Sequence, residues 1–151
     1  MMKGVLDFII SDHPEAEELR KLYVFKIIPM LNPDGVIVGN YRTSLVGADL
    51  NRRWKTPSKL LHPTIWATKN MIREFSKERR VELVCDLHGH SRRKNVFMYG
   101  CNVQNHPSIT RIIPYILGKI SPFFKYGYSR FKMQRSKEST MRISVFRDLR
   151  I

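Results

Sequence analysis

Cysteine is scarce in this 151-residue chain: Cys85 and Cys101 are the only two. No CxxC pair occurs, so a disulfide framework or a four-cysteine metal site has nothing to be built from. Two reduced thiols in an intracellular protein is the plain reading. Acidic residues are also few, 13 Asp and Glu against 27 Lys and Arg, which leaves a formal net charge of +14. No apolar run approaches the ~20 residues that a membrane-spanning helix needs, and the stretch from Tyr23 to Met30 already contains a Lys and a Pro. The first residues hold one Lys and a short apolar run, soon followed by acids. Without a small-residue cleavage site they do not read as a signal peptide. Internal repeats and Ser/Gly-rich linkers are missing too, which is what one domain of this length looks like.

What is present is ordinary for a soluble domain: 42% apolar and 26% charged residues. The positive field attracts acidic partners, whether nucleic acid, anionic membrane or acidic polypeptide, and net charge alone does not choose among them. Against nucleic acid, no DNA- or RNA-binding motif and no aromatic-basic platform is recognisable.

Periodicity predicts a helix over residues 2–10, with Val5, Leu6, Ile9 and Ile10 on one side. His13-Pro14 opens a second helix, with proline at a tolerated first position and acids in the first turn, running to about Leu22. Tyr23 to Met30, YVFKIIPM, reads as a buried strand ending at Pro29. Leu31 to Leu61 reads as a long irregular stretch, with Asn32-Pro33-Asp34-Gly35 as a turn. A helix follows from His62 to about Arg79, with Ile65, Thr68, Ile72 and Phe75 on one face. Val81 to Leu87 reads as a short buried strand and Asn95 to Cys101 as another short strand. Ile109, Ile112, Ile113, Ile116, Leu117 and Ile120 form a helical stripe, with Pro114 either kinking it or marking its start. Tyr128 to Arg135 reads as a strand and Ser139 to Leu149 as a helix. That order predicts an α/β fold with a mixed sheet.

The chemistry-bearing residues are few. Asp86-Leu87-His88-Gly89-His90 sits where a strand runs out, the place where open α/β sheets bind ligands. A His there is a candidate metal ligand or general base, although from this window alone a hydrogen-bonded strand-end histidine is the favoured reading. Arg42, Asn51 and Arg52 lie in the long irregular stretch. A guanidinium offers a planar fork of donors that matches a carboxylate, although any single Arg is more often a solvated one. Arg92-Arg93-Lys94 after the histidines reads as a solvated loop.

Read together, the segments say more. FKIIPMLNPDGVIVGNYRTSLVGADLNRRW, followed by CDLHGHSRRKNVFMYGC and later by RSKESTMRISVFRDLRI, resembles the zinc carboxypeptidases of the carboxypeptidase A type. More narrowly it resembles the cytosolic carboxypeptidase subfamily, which trims glutamates from tubulin tails and other acidic proteins. The resemblance covers nearly the whole chain from Lys3 onward. It implies that His88 is a zinc ligand, the third of the family's three. It implies that Arg42 polarises the scissile carbonyl and stabilises the oxyanion, and that Asn51 and Arg52 hold the substrate's terminal carboxylate. The physical logic agrees, since an exopeptidase must recognise a free carboxylate and must stabilise a tetrahedral oxyanion.

The resemblance also implies what is missing. In the family a His-x-x-Glu motif supplies the first two zinc ligands just before the segment that opens here. The general-base Glu lies shortly after the segment that closes here. Residues 1–151 then read as the central part of a catalytic domain, truncated at both ends. The expected fold is a partial mixed α/β sheet with helices on both faces. Arg53 stands where the carboxypeptidase A branch has Asn, and His90 where that branch has Tyr. The expected function is a zinc carboxypeptidase acting on acidic polypeptide tails in the cytosol, in reach of microtubules, with no nucleic-acid or membrane partner. These residues alone are expected to be inactive. The alternative is a non-catalytic module that holds acidic tails.

Overall fold

The computed structural model describes residues 1–149. The chain divides into two compact units, Met1–Leu31 and the remainder from Asn32.

The first unit is a pair of helices, α1 (Met2–Ile9) and α2 (Pro14–Leu22). Pro14 occupies the first turn of α2, where its missing N–H would have no partner. His13 caps that turn, its Nδ1 accepting from Glu15 N at 3.3 Å. Arg20, one of two bases in the last turn of α2, donates to Ile9 O and Ser11 O and so satisfies carbonyls left open at the end of α1. Ile9 and Ala16 are the buried apolar residues of this unit.

The second unit holds four further helices: α3 (Pro33–Val38), α4 (Pro63–Glu78), α5 (Ile112–Ile120) and α6 (Met141–Asp148). Its core gathers Leu50, Trp54, Ile65, Cys101, Phe124, Met141, Ile143 and Val145. Asn32-Pro33-Asp34-Gly35, expected to be a turn, is instead the start of a helix. Asn32 Oδ1 accepts from Gly35 N at 3.1 Å, and α3 ends at Gly39 in the left-handed region (φ +80°). Asn-Pro is a cap-and-first-turn signature as well as a turn signature. At Gly35 a Cβ would lie 2.2 Å from the Asn32 side chain, so the cap requires glycine there.

Helix α4 buries Ile65 and Thr68 as the stripe predicted, with Ile72 and Phe75 half-buried. The stripe did not contain Lys69, which is 2% exposed. Pro114 lies in the first turn of α5, so it marks the helix start and does not kink it.

The expected α/β architecture is overturned. Among the described residues there is no strand ladder, only isolated bridges: Thr43 with Asp49, Val96 with Phe124, and Tyr99 with Arg130. Two of the four expected strands come closest. Residues 96–102 exchange parallel bonds with 123–131: Lys125 N to Val96 O, Arg130 N to Met98 O, Gly100 N to Arg130 O. A 3-10 turn at Tyr126–Tyr128 interrupts the row, so it never becomes a ladder. Residues 23–30 and 81–87 adopt no regular secondary structure and enter no ladder, and Leu83, expected in a buried strand, is 65% exposed. Strand propensity describes a side chain that fits a half-buried pleated surface. It does not provide the neighbouring strand that makes one.

Candidate functional site

The site is built on one tight loop. Thr43 and Asp49 pair in an antiparallel bridge. Between them Ser44 N donates to Ala48 O and Gly47 N to Ser44 O. Gly47 sits at φ +68°, a conformation that glycine adopts without a Cβ penalty. The loop folds Arg42 back against Asp49, with Arg42 Nε 3.0 Å from Asp49 Oδ2.

Asp49 then opens a 3-10 turn, Leu50–Arg52, its Oδ1 accepting from Asn51 N at 3.0 Å. Arg52 Nη1 lies 4.0 Å from Asp49 Oδ2 and donates to Asn51 O at 2.9 Å. One carboxylate thus holds the turn with one oxygen and faces two guanidinium groups with the other. Asn51 points its amide oxygen at the N-terminus of α6, accepting from Met141 N at 2.9 Å. An amide with its oxygen so occupied offers its two N–H donors to whatever comes next.

His88 follows the irregular segment 81–87. Its Nδ1 lies 3.3 Å from Asp86 Oδ2, and its side chain is 54% exposed. The hydrogen bond to Asp86 holds its pKa above the ordinary histidine value. Burial opposes this, Asp86's charge adds to it, the Arg52 guanidinium lowers it and the Asp49 carboxylate raises it. The structure brings Arg42, Asn51 and Arg52 onto one turn around Asp49, and His88 lies within electrostatic reach of Arg52 and Asp49.

His90 is differently engaged. Its Nδ1 accepts from Arg92 N and Arg93 N at 3.2 and 3.1 Å, and its ring rests against Phe97 and Tyr99. Arg53 acts elsewhere too: burial first, and then the Arg53 charge, hold the pKa of His62 below the ordinary histidine value. Sequence reasoning passed over Asp49, although it stood inside the quoted GADLN. An acid directly before an arginine-bearing turn is the available signal, because such a residue is both a cap and a counter-ion.

The metal question turns on donors. With Nδ1 committed to Asp86, His88 keeps Nε2 open, and a carboxylate behind a ligating imidazole is the usual orienting arrangement. A catalytic zinc takes about three protein ligands. Among the described residues no group of three His, Cys, Asp or Glu could hold a metal ion. His88 fits one position of a zinc site, and the described donors do not complete one.

Comparison with known proteins is decisive at the level of family. Residues 2–139 match the zinc carboxypeptidase family, peptidase family M14. The chain belongs to the zinc carboxypeptidase family. It is 54% identical to cytosolic carboxypeptidase 2 of Xenopus tropicalis over 151 residues, covering 97% of this chain and 16% of that protein. It is 52% identical to human cytosolic carboxypeptidase 2 over 150 residues, covering 97% and 17%. Against cytosolic carboxypeptidase 1 of Gallus gallus the identity is 46%, covering 99% and 14%. The chain thus spans about a sixth of the length of these relatives. A solved structure of a putative carboxypeptidase A from Shewanella denitrificans superposes with a TM-score of 0.84 at 28% identity, covering 99% of this chain and 41% of that one. The zinc carboxypeptidase resemblance read from the motifs is confirmed, and the relatives matched here are cytosolic carboxypeptidases. Among the described residues no helix is long and apolar enough to cross a membrane.

Proposed function

We propose that this chain is the central part of the catalytic domain of a cytosolic zinc carboxypeptidase that removes C-terminal residues, glutamates foremost, from acidic protein tails such as those of tubulin. The observation that carries the reading is the turn around Asp49, which gathers the Arg42 and Arg52 guanidinium groups at one carboxylate and carries Asn51, whose amide oxygen is held by Met141 N. That donor set suits a free carboxylate, which accepts in bidentate fashion from planar forks. In this reading Asn51 and Arg52 bind the terminal carboxylate. Arg42, paired with Asp49, acts in this reading on the scissile carbonyl and steadies negative charge as it develops there. His88 is the metal ligand on this segment. The acidic preference is supported by charge: residues 87–137 carry ten Lys and Arg and no Asp or Glu. A surface of one sign concentrates substrates of the other.

The second reading, a module that holds acidic tails without cleaving them, is favoured by one observation, the incomplete donor set around His88. Both readings are tested on two proteins, the chain itself and a longer polypeptide that adds the upstream His-x-x-Glu and the downstream glutamate segment. Release of glutamate from a peptide ending in several glutamates is followed. The longer protein is expected to release it and the chain alone to bind the peptide without cleaving. In the longer protein Arg42→Ala should lower kcat and Arg52→Ala should chiefly raise KM. Binding without turnover in both proteins overturns the catalytic reading in favour of the module.

A further inference from the structure

We infer that Lys69 and Ser144 are positioning residues for the carboxylate clamp, acting through the main chain that follows Arg52. The inference rests on the reading of Asn51 and Arg52 as that clamp. Lys69 is 2% exposed. Burying an ammonium is unfavourable unless its donors are met, and here every partner is specific. Its Nζ donates to Trp54 O, to Lys55 O at 3.0 Å and to Ser144 Oγ at 3.0 Å, and lies 3.2 Å from Asp148 Oδ2. One cation thus ties helix α4 to the segment just after the 3-10 turn and to helix α6.

Ser144 closes the same knot. Its hydroxyl donates to Trp54 O at 2.9 Å while accepting from Lys69. On the far side of Trp54 the main chain is held as well, with Trp54 N donating to Ser139 O at 3.0 Å. The next link in the chain of contacts is Met141 N to Asn51 Oδ1. The position of α6 relative to residues 51–54 therefore fixes which way the Asn51 amide faces. If α6 shifts, Asn51 Oδ1 loses its donor and the amide is free to turn its oxygen outward, where it would repel a carboxylate. A rigid supporting shell of this kind is what keeps a binding group in its productive geometry.

Lys69→Met removes the cation and keeps an unbranched apolar stem of similar length. It does not orphan the other charge, because Asp148 Oδ2 also lies 3.0 Å from Arg73 Nη2, and Trp54 O keeps the Ser144 hydroxyl. Ser144→Ala is the milder variant and leaves Lys69 three partners. The probes are a short peptide ending in glutamate with a free α-carboxylate and the same peptide amidated. Each is bound to the chain and followed by fluorescence anisotropy, with Arg52→Gln as control.

The wild-type chain should prefer the free acid, and Arg52→Gln should abolish the preference. Lys69→Met should cut the preference about tenfold, the equivalent of about 1.4 kcal/mol, and Ser144→Ala about threefold. Affinity for the amidated peptide should stay unchanged in both. A purely structural role would weaken both peptides together or neither. If the wild type shows no preference, the clamp reading fails and this inference with it. If Arg52→Gln loses the preference while Lys69→Met or, should that variant not fold, Ser144→Ala keeps it, the clamp stands and the positioning role is overturned.

Discussion

Asp49 does two jobs that a pair of substitutions can separate. Its Oδ1 caps the 3-10 turn at Asn51 N, and its Oδ2 faces Arg42 at 3.0 Å and Arg52 at 4.0 Å. Asparagine keeps a carbonyl oxygen where the cap needs one and loses the charge, while alanine loses both. A side-chain cap contributes about 1 kcal/mol. The Arg42 side chain is 54% exposed and that of Asp49 is 24% exposed, so the pair is partly screened by water and contributes about 0.5 kcal/mol. The longer approach of Arg52 adds less. Asp49→Asn should therefore cost about 0.5 kcal/mol and Asp49→Ala about 1.5 kcal/mol. Trp54, 2% exposed and adjoining the turn, provides the fluorescence signal for urea titration. In 1 M salt, where screening acts within about 3 Å, the deficit of Asp49→Asn should vanish and that of Asp49→Ala should fall only to the value of the cap. Equal costs for the two variants would show that the cap is not what Asp49 supplies. A cost above about 2 kcal/mol for Asp49→Asn would show that the arginine pair is not screened as its exposure implies.

Three further outcomes are expected. Burial and the charge of Arg53 hold His62 below the ordinary histidine pKa, and its Nδ1 accepts from Ser58 N at 3.1 Å. The unfolded chain therefore binds this proton first, and stability is lost as pH falls below the unfolded value of about 6.5. His88, whose pKa is raised, contributes with the opposite sign. The test is thus the difference between wild type and His62→Asn across pH 7 to 5, and parallel curves would refute it. Ile143, 0% exposed, should cost about 3 kcal/mol when cut to alanine, measured by urea titration; a cost near zero would mean that α6 is not packed as described. Zinc titrated calorimetrically into the chain should bind no more tightly than to an ordinary exposed histidine. A longer polypeptide restoring His-x-x-Glu should bind it tightly and lose most of that affinity on His88→Ala, whereas tight stoichiometric binding by the chain alone would refute the donor count.

The legible parts of the fold are those with local causes. Pro14 with acids behind it marks the start of α2, and Ile65 and Thr68 at helical spacing mark the buried face of α4. Helix α6 was expected from residues 139–149, but its burial was not readable. Met141, Ile143, Ser144 and Val145 are all buried, so it is enclosed on several sides and has no single apolar stripe. Lys69 was invisible for a related reason. A lysine on a helix reads as solvated, and only carbonyls and a hydroxyl brought from residues 54, 55 and 144 make its burial possible.

The candidate site divides along the same line. Motif order pointed to Arg42, Asn51, Arg52 and His88, because order along the chain is what a motif contains. It did not point to Asp49 or to the α6 N–H that turns the Asn51 amide, because these are partners and a motif does not say what satisfies its members. The missing sheet is the largest case. The backbone follows the Shewanella denitrificans structure at a TM-score of 0.84, yet among the described residues no ladder forms. Course and pairing are therefore separable properties of this chain. Helical bonds close within one segment and survive on local sequence. Strand bonds need a second segment in register, and where 96–102 and 123–131 do meet, one 3-10 turn at Tyr126–Tyr128 is enough to break the row.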